Sequence, residues 1–222
     1  MSRQIDRLID SYKPFNNEKS DLISYALFHP TAVEPHHIDK ILDSHPHLSN
    51  GLMDSITRYV PEGRDPSDYL PTISAVTPTH IGRILKDPDV SKHYKLKLLT
   101  HPKLLPSHLD HVLNSPEFGE GEKMLALAHP TAVRPRHIDD ILDNPNKYVS
   151  RLSNTTALSH PTAVRPRHID KMLKNPDKYT NYELNAALSH PTAVTPEHKQ
   201  TISQNPNLRL FDTTGDTMDV RG

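Results

Sequence analysis

The chain has 222 residues, 26 of them basic and 27 acidic, for a formal net charge of −1. That balance excludes the strongly basic character of a dedicated nucleic-acid binder and leaves room only for a local basic stripe. The absence of cysteine excludes disulfides, thiolate zinc sites and cysteine nucleophiles. With 34% hydrophobic residues, no Trp and a mean hydropathy of −0.64, a thin core shared between neighbouring units is expected rather than one large centre. No apolar run approaches the ~20 residues of a membrane span, and Met1–Lys19 lacks a secretory apolar region. A cytoplasmic protein without membrane contact is the expectation.

In chain order, Ile5, Leu8, Ile9 and Tyr12 mark a short amphipathic helix over Ser2–Tyr12, read as an N-terminal cap within residues 1–19. A phrase of the form (H-P-T-A-V)-x-P-x-H-I-D-x-(I/M)-L then recurs six times between residues 20 and 206. The copies are His29–Leu42, Thr72–Leu85, His101–Leu113, His129–Leu142, His160–Leu173 and the decayed His190–Ile202. Their second prolines, Pro35, Pro78, Pro106, Pro135, Pro166 and Pro196, are separated by 43, 28, 29, 31 and 30 residues. A period near thirty is the signature of a repeat array. Most of the 21 prolines fall in register with it, so they punctuate elements rather than signal disorder. The long first step holds an insertion at about 48–70, with Tyr59, Arg64 and Tyr69 as candidate partner-binding residues.

The unit Tyr148–Pro176 shows what one copy encodes. A first helix over Val149–Ser159 must end near Ser159, because Pro161 follows His160 and the residue before a proline avoids the α region. His160 is expected just past that helix, its partly protonated ring meeting free carbonyls at the negative end. Thr162, Ala163 and Val164 form the turn, and Pro166 opens a second helix, Pro166–Lys174, where its missing N–H is no loss. Ile169, Met172 and Leu173 form an apolar stripe at i, i+3 and i+4. The same triplet is Ile38, Ile41, Leu42; Ile81, Ile84, Leu85; Leu109, Val112, Leu113; and Ile138, Ile141, Leu142. So short a helix buries its stripe only against a neighbour. The expected fold is therefore all-α: a solenoid of about six helix–turn–helix repeats, on the order of 50–60 Å long at ~8–10 Å per helix pair. In the last copy the stripe has become Lys199, Ile202, Ser203, the polar outer face of a C-terminal cap. Residues 207–222 carry no periodicity and read as a flexible tail.

The run A/L-L-x-H-P-x-x-x-x-P-x-x-(I/L)-x-x-(I/L), as in Ala187-Leu188-Ser189-His190-Pro191 with Pro196, resembles the variant leucine-rich repeat and, more distantly, HEAT-type helical repeats. Similar histidine-proline repeats occur in bacteriophage and bacterial proteins. The resemblance covers roughly residues 20 to 206. It implies a right-handed superhelix that acts as a binding scaffold, for instance a phage-encoded virion component or a modulator of a host machine. The unit here is longer than is usual in that family, and the iron–sulfur segment found beside one such array needs cysteines that this chain lacks.

Sixteen histidines raise the question of metal. They concentrate at two repeat positions: His29, His101, His129, His160 and His190, then His37, His80, His108, His137, His168 and His198. Equivalent positions in adjacent units lie ~10 Å apart, too far to share an ion whose Zn–N bonds are ~2.0–2.1 Å. Structural capping is the favoured role, with His36-His37 beside His29, and His45 with His47, the least implausible exceptions; no metal or cofactor is expected. Arg134, Arg136, Arg165 and Arg167 open two neighbouring second helices and form a candidate anion- or partner-binding stripe. The plainer alternative pairs Arg136 with Asp139 or Asp140 and Arg167 with Asp170 along the same helix. No nucleophile elbow, P-loop, H-E-x-x-H or dinucleotide fingerprint is present, and Asp139 and Asp170 recur with the repeat, which speaks for structural use. The expected function is a non-catalytic scaffold for protein–protein interaction. The alternative is a nucleic-acid-binding array that uses the arginine stripe.

Overall fold

Each P-x-H phrase opens a helix of nine or ten residues. The computed structural model describes residues 2–11, 22–23, 26–27, 33–44, 75–145, 151–205 and 208. Within them the secondary structure is helical, with no strand. In order, the helices are α1 (Ser2–Asp10), α2 (Pro35–Ser44), α3 (Pro78–Lys86), α4 (Lys92–Leu98), α5 (Pro106–Asn114), α6 (Glu120–Leu127), α7 (Pro135–Asp143), α8 (Arg151–Leu158), α9 (Pro166–Lys174), a 3-10 turn (Pro176–Lys178), α10 (Asn181–Leu188) and α11 (Pro196–Gln204). None of the described helices is long and apolar enough to cross a membrane. The all-α expectation holds, and Arg151–Leu158 and Pro166–Lys174 fall within or on the expected bounds. The insertion residues Tyr59, Arg64 and Tyr69 lie outside the described residues, as does the tail apart from Leu208, which is buried.

Two compact units divide the chain, residues 1–108 and 109–222. In the first, α1 packs against α2 and α3 against α4. The core comes from Ile5 and Ile9 of α1, Ile38 and Ile41 of α2, Ile81, Ile84 and Leu85 of α3, and Tyr94 and Leu98 of α4. In the second, the first helices α6, α8 and α10 pack in succession, and the second helices α7, α9 and α11 do the same. Ala126, Leu127, Ala157, Leu158, Leu184, Ala187 and Leu188 fill one layer, and Ile138, Ile141, Leu142, Ile169, Met172 and Ile202 the other. Each fully buried Ile or Leu contributes about 1.5–3 kcal/mol against exposure. The loss of two apolar positions in α11 therefore removes several kcal/mol of stripe, consistent with an outer layer.

The layers are joined by the tight turns Thr131-Ala132-Val133 and Thr162-Ala163-Val164, whose Ala and Val are buried while the threonines are exposed. A buried polar pair ties α8 to α10: Asn154 Nδ2 donates to Glu183 Oε1 at 2.8 Å. Glu183 Oε2 accepts the Thr180 backbone N–H at 2.7 Å, and Thr180 Oγ1 accepts the Glu183 N–H in return, a complete capping box at the start of α10.

Candidate functional site

The repeated histidines occupy the third position of each second helix, where a capping box ordinarily carries Glu or Gln. Their Nδ1 atoms take over that task. The N-cap backbone N–H donates to Nδ1 of His37 (from Glu34, 2.9 Å), His80 (Thr77, 3.0 Å), His108 (Leu105, 3.1 Å), His137 (Arg134, 2.9 Å), His168 (Arg165, 2.9 Å) and His198 (Thr195, 3.0 Å). Where the N-cap is Thr77 or Thr195 its hydroxyl accepts the N–H of His80 or His198, completing the box. Arg134 and Arg165 have no acceptor to return, so α7 and α9 rely on the imidazole half alone.

A nitrogen that accepts a backbone N–H carries no proton, so the neutral ring must bear its hydrogen on Nε2. That second nitrogen reaches the preceding second helix. His80 meets Asp39 Oδ1 at 2.9 Å, His137 meets Asp110 Oδ1 at 3.0 Å, and His198 meets Asp170 Oδ1 at 2.9 Å. His168 Nε2 lies 3.0 Å from Asp139 Oδ1 with its N–H turned off the line to the oxygen. The same aspartates take a basic residue of the following helix: Arg136 reaches Asp110 at 2.5 Å and Arg167 reaches Asp139 at 2.7 Å. One turn further on, Arg83 reaches Asp43 at 2.6 Å and Lys171 pairs with Asp143. Gly82 stands where four of the other copies carry this aspartate, and a Cβ there would meet His108 Nε2 at 3.2 Å, so this step approaches too closely for the usual rung.

The other histidine set forms a second ladder inside the turns. Nδ1 of His129, His160 and His190 accepts the N–H of Ala132, Ala163 and Ala193 at 3.1–3.2 Å. Nε2 of His160 then donates to the carbonyl of His129, and Nε2 of His190 to that of His160, each at 3.1 Å. This corrects one expectation. Burial disfavours the charged form of the His160 ring that was expected to be partly protonated, and the carbonyl that His160 or His190 finds belongs to the neighbouring turn. Burial pushes the imidazoles of His137, His160 and His168 below their ordinary value, against the partial opposition of their acceptors. His37 is lowered first by burial and then by His36.

The arginine stripe divides. Arg136 and Arg167 are paired across to Asp110 and Asp139 of the preceding helix, and not along their own as the plainer alternative supposed. Arg134 and Arg165 are exposed and make no ion pair among the described residues. Burial raises Asp139, but Arg167 and His168 together outweigh it and hold the carboxyl below the usual range. No family model, no curated protein and no solved structure matches this chain.

Among the described residues one group has ligand-like spacing, Asp6 with His36 and His37; His29, His45 and His47 lie outside them. Its chemistry is poor for a cation. His37 Nδ1 already accepts the Glu34 N–H, so binding through Nε2 would strip the ring of both protons, and Lys40 sits 2.8 Å from the carboxylate that would have to coordinate. Lys40 holds the Asp6 carboxyl below its ordinary value and is itself raised by it. The His–Asp pairs are no better suited to acid–base work. A general base needs one nitrogen open to substrate, and in these rings the backbone occupies one and the aspartate the other.

Expected only as a cap, α1 carries the acceptor pattern of a second helix. Asp6 and Asp10 receive Lys40 at 2.8 and 3.3 Å, as Asp39 and Asp43 receive Arg83. Ser2-Arg3-Gln4-Ile5-Asp6 aligns with Pro135-Arg136-His137-Ile138-Asp139, and the Ile-Asp pair was the available signal.

Proposed function

We propose that the chain is a right-handed α-solenoid related to the variant leucine-rich and HEAT-type repeats, and that it serves as a non-catalytic scaffold for another protein. The observation that carries this reading is the engagement of both ring nitrogens at His80, His137, His160, His190 and His198: there the repeated motif is spent on joining one copy to its neighbour, which leaves the surface to act. Pairing of Arg136 and Arg167 with aspartates weakens the nucleic-acid alternative, since half the stripe is neutralised. Small-angle scattering and retention on duplex DNA test it together. An elongated particle with no retention at low salt supports the scaffold. Salt-sensitive retention lost in an Arg134→Ala/Arg165→Ala variant overturns it in favour of nucleic acid.

A further inference from the structure

The second helices have polarity. On one edge they offer donors at the first, second or fifth position after the opening residue, among them Arg136, Arg167, Lys40, Arg83 and Lys171; on the other, Asp39, Asp110, Asp139 and Asp170 stand at the fourth position, joined in α2 and α7 by Asp43 and Asp143 at the eighth. Thus Lys40 of α2 grips Asp6 and Asp10 of α1, Arg83 of α3 grips Asp39 and Asp43 of α2, and Arg167 and Lys171 of α9 grip Asp139 and Asp143 of α7. In α1 the equivalent donors are Arg3, Gln4 and Arg7. All three are exposed, and neither arginine makes an ion pair among the described residues.

We infer that this edge of α1 docks a helix of a partner protein that carries two carboxylates four residues apart. The inference deepens the scaffold reading and rests on it. Charge complementarity selects the occupant, since the same edge takes such a pair within the chain at α2, α3 and α9. A second copy is a poor occupant. The carboxylate pairs Asp6/Asp10, Asp39/Asp43 and Asp139/Asp143 are already gripped, and α11 presents the exposed amides Gln200 and Gln204 in their place, beside Lys199. A head-to-tail contact of that kind would propagate into filaments, and the two amides remove its charge.

The test uses the full chain and a stapled helical peptide of the sequence Pro35–Ser44, which presents Asp39 and Asp43 as α2 does. Fluorescence anisotropy is expected to show salt-weakened binding. That binding should fall at least ~10-fold for an Arg3→Glu/Arg7→Glu chain and for an Asp39→Asn/Asp43→Asn peptide. Circular dichroism of the Arg3→Glu/Arg7→Glu chain confirms that it still folds, and an Arg3→Ala/Arg7→Ala chain, free of introduced repulsion, should bind at an intermediate level. Absence of binding, or binding indifferent to both charge changes, overturns the inference. Reversible self-association of the unmodified chain that is lost in Arg3→Glu/Arg7→Glu overturns it in favour of a second copy. An elongated particle in scattering with no peptide binding removes this edge alone and leaves the scaffold standing.

Discussion

His137 accepts the Arg134 backbone N–H on Nδ1 at 2.9 Å and donates from Nε2 to Asp110 Oδ1 at 3.0 Å, 27 residues back in the chain. One ring therefore closes the start of its own helix and fastens that helix to its neighbour. Removing it should cost both bonds. A His137→Ala variant is expected to lose about 2–4 kcal/mol, because a helix-start N–H and a carboxylate each lose a partner. His137→Gln retains a capping-box side chain and should recover about 1 kcal/mol of that loss. Urea unfolding of the three proteins checks the order, wild type above Gln above Ala.

Asp110 receives both His137 and Arg136, one buried and the other exposed. Loss of the shared carboxylate in Asp110→Ala leaves the buried imidazole N–H unpaired, for an expected cost of about 1–2 kcal/mol. Arg136→Ala removes only an exposed ion pair and should stay within ~0.5 kcal/mol of wild type. Equal losses in the two variants, read from the same urea curves, would mean that the ion pair and not the imidazole carries the rung.

Stability should fall in mild acid. The imidazoles of His37, His137, His160 and His168 are lowered in the folded protein, so as pH drops through ~6.5 the unfolded chain binds protons that the folded one refuses. Their contribution is complete above that value and diminishes until the folded rings themselves titrate. Asp139, lowered in the fold, adds a second loss only near and below its ordinary carboxylate value. Unfolding free energies measured from pH 8 to pH 5 should be level at the top of the range and decline below ~6.5. A rise on acidification would contradict the neutral assignment.

Much of the fold was legible from local chemistry. His160-Pro161 and Pro166 mark where helices stop and start, and Ile169 with Met172 marks the buried face; both follow from backbone sterics and helical period. The Asp–His rungs were not legible. Asp39 and His80 stand 41 residues apart and Asp170 and His198 stand 28 apart, and only stacking brings each pair within reach. The arginines misled for the same reason: Arg136 has acidic neighbours on its own helix, yet its guanidinium crosses to Asp110. A faint signal was present in the two copies that lack the aspartate. Gly82 stands at a step with close approach, and Gln200 stands in the last helix, where no described copy follows.

Imidazoles that accept on Nδ1 and donate from Nε2 couple neighbouring copies at His80, His137, His160, His190 and His198. Long-range proton–nitrogen NMR correlation distinguishes the two neutral tautomers and the charged ring at each histidine, and does so most directly on the folded chain near pH 7. His137, His160 and His168 are expected as neutral Nε2–H tautomers and should remain so below the ordinary imidazole value, and at His190 and His198 the same hydrogen bonds place a hydrogen on Nε2. Nδ1–H tautomers at these positions, or charged rings at neutral pH, would contradict both ladders.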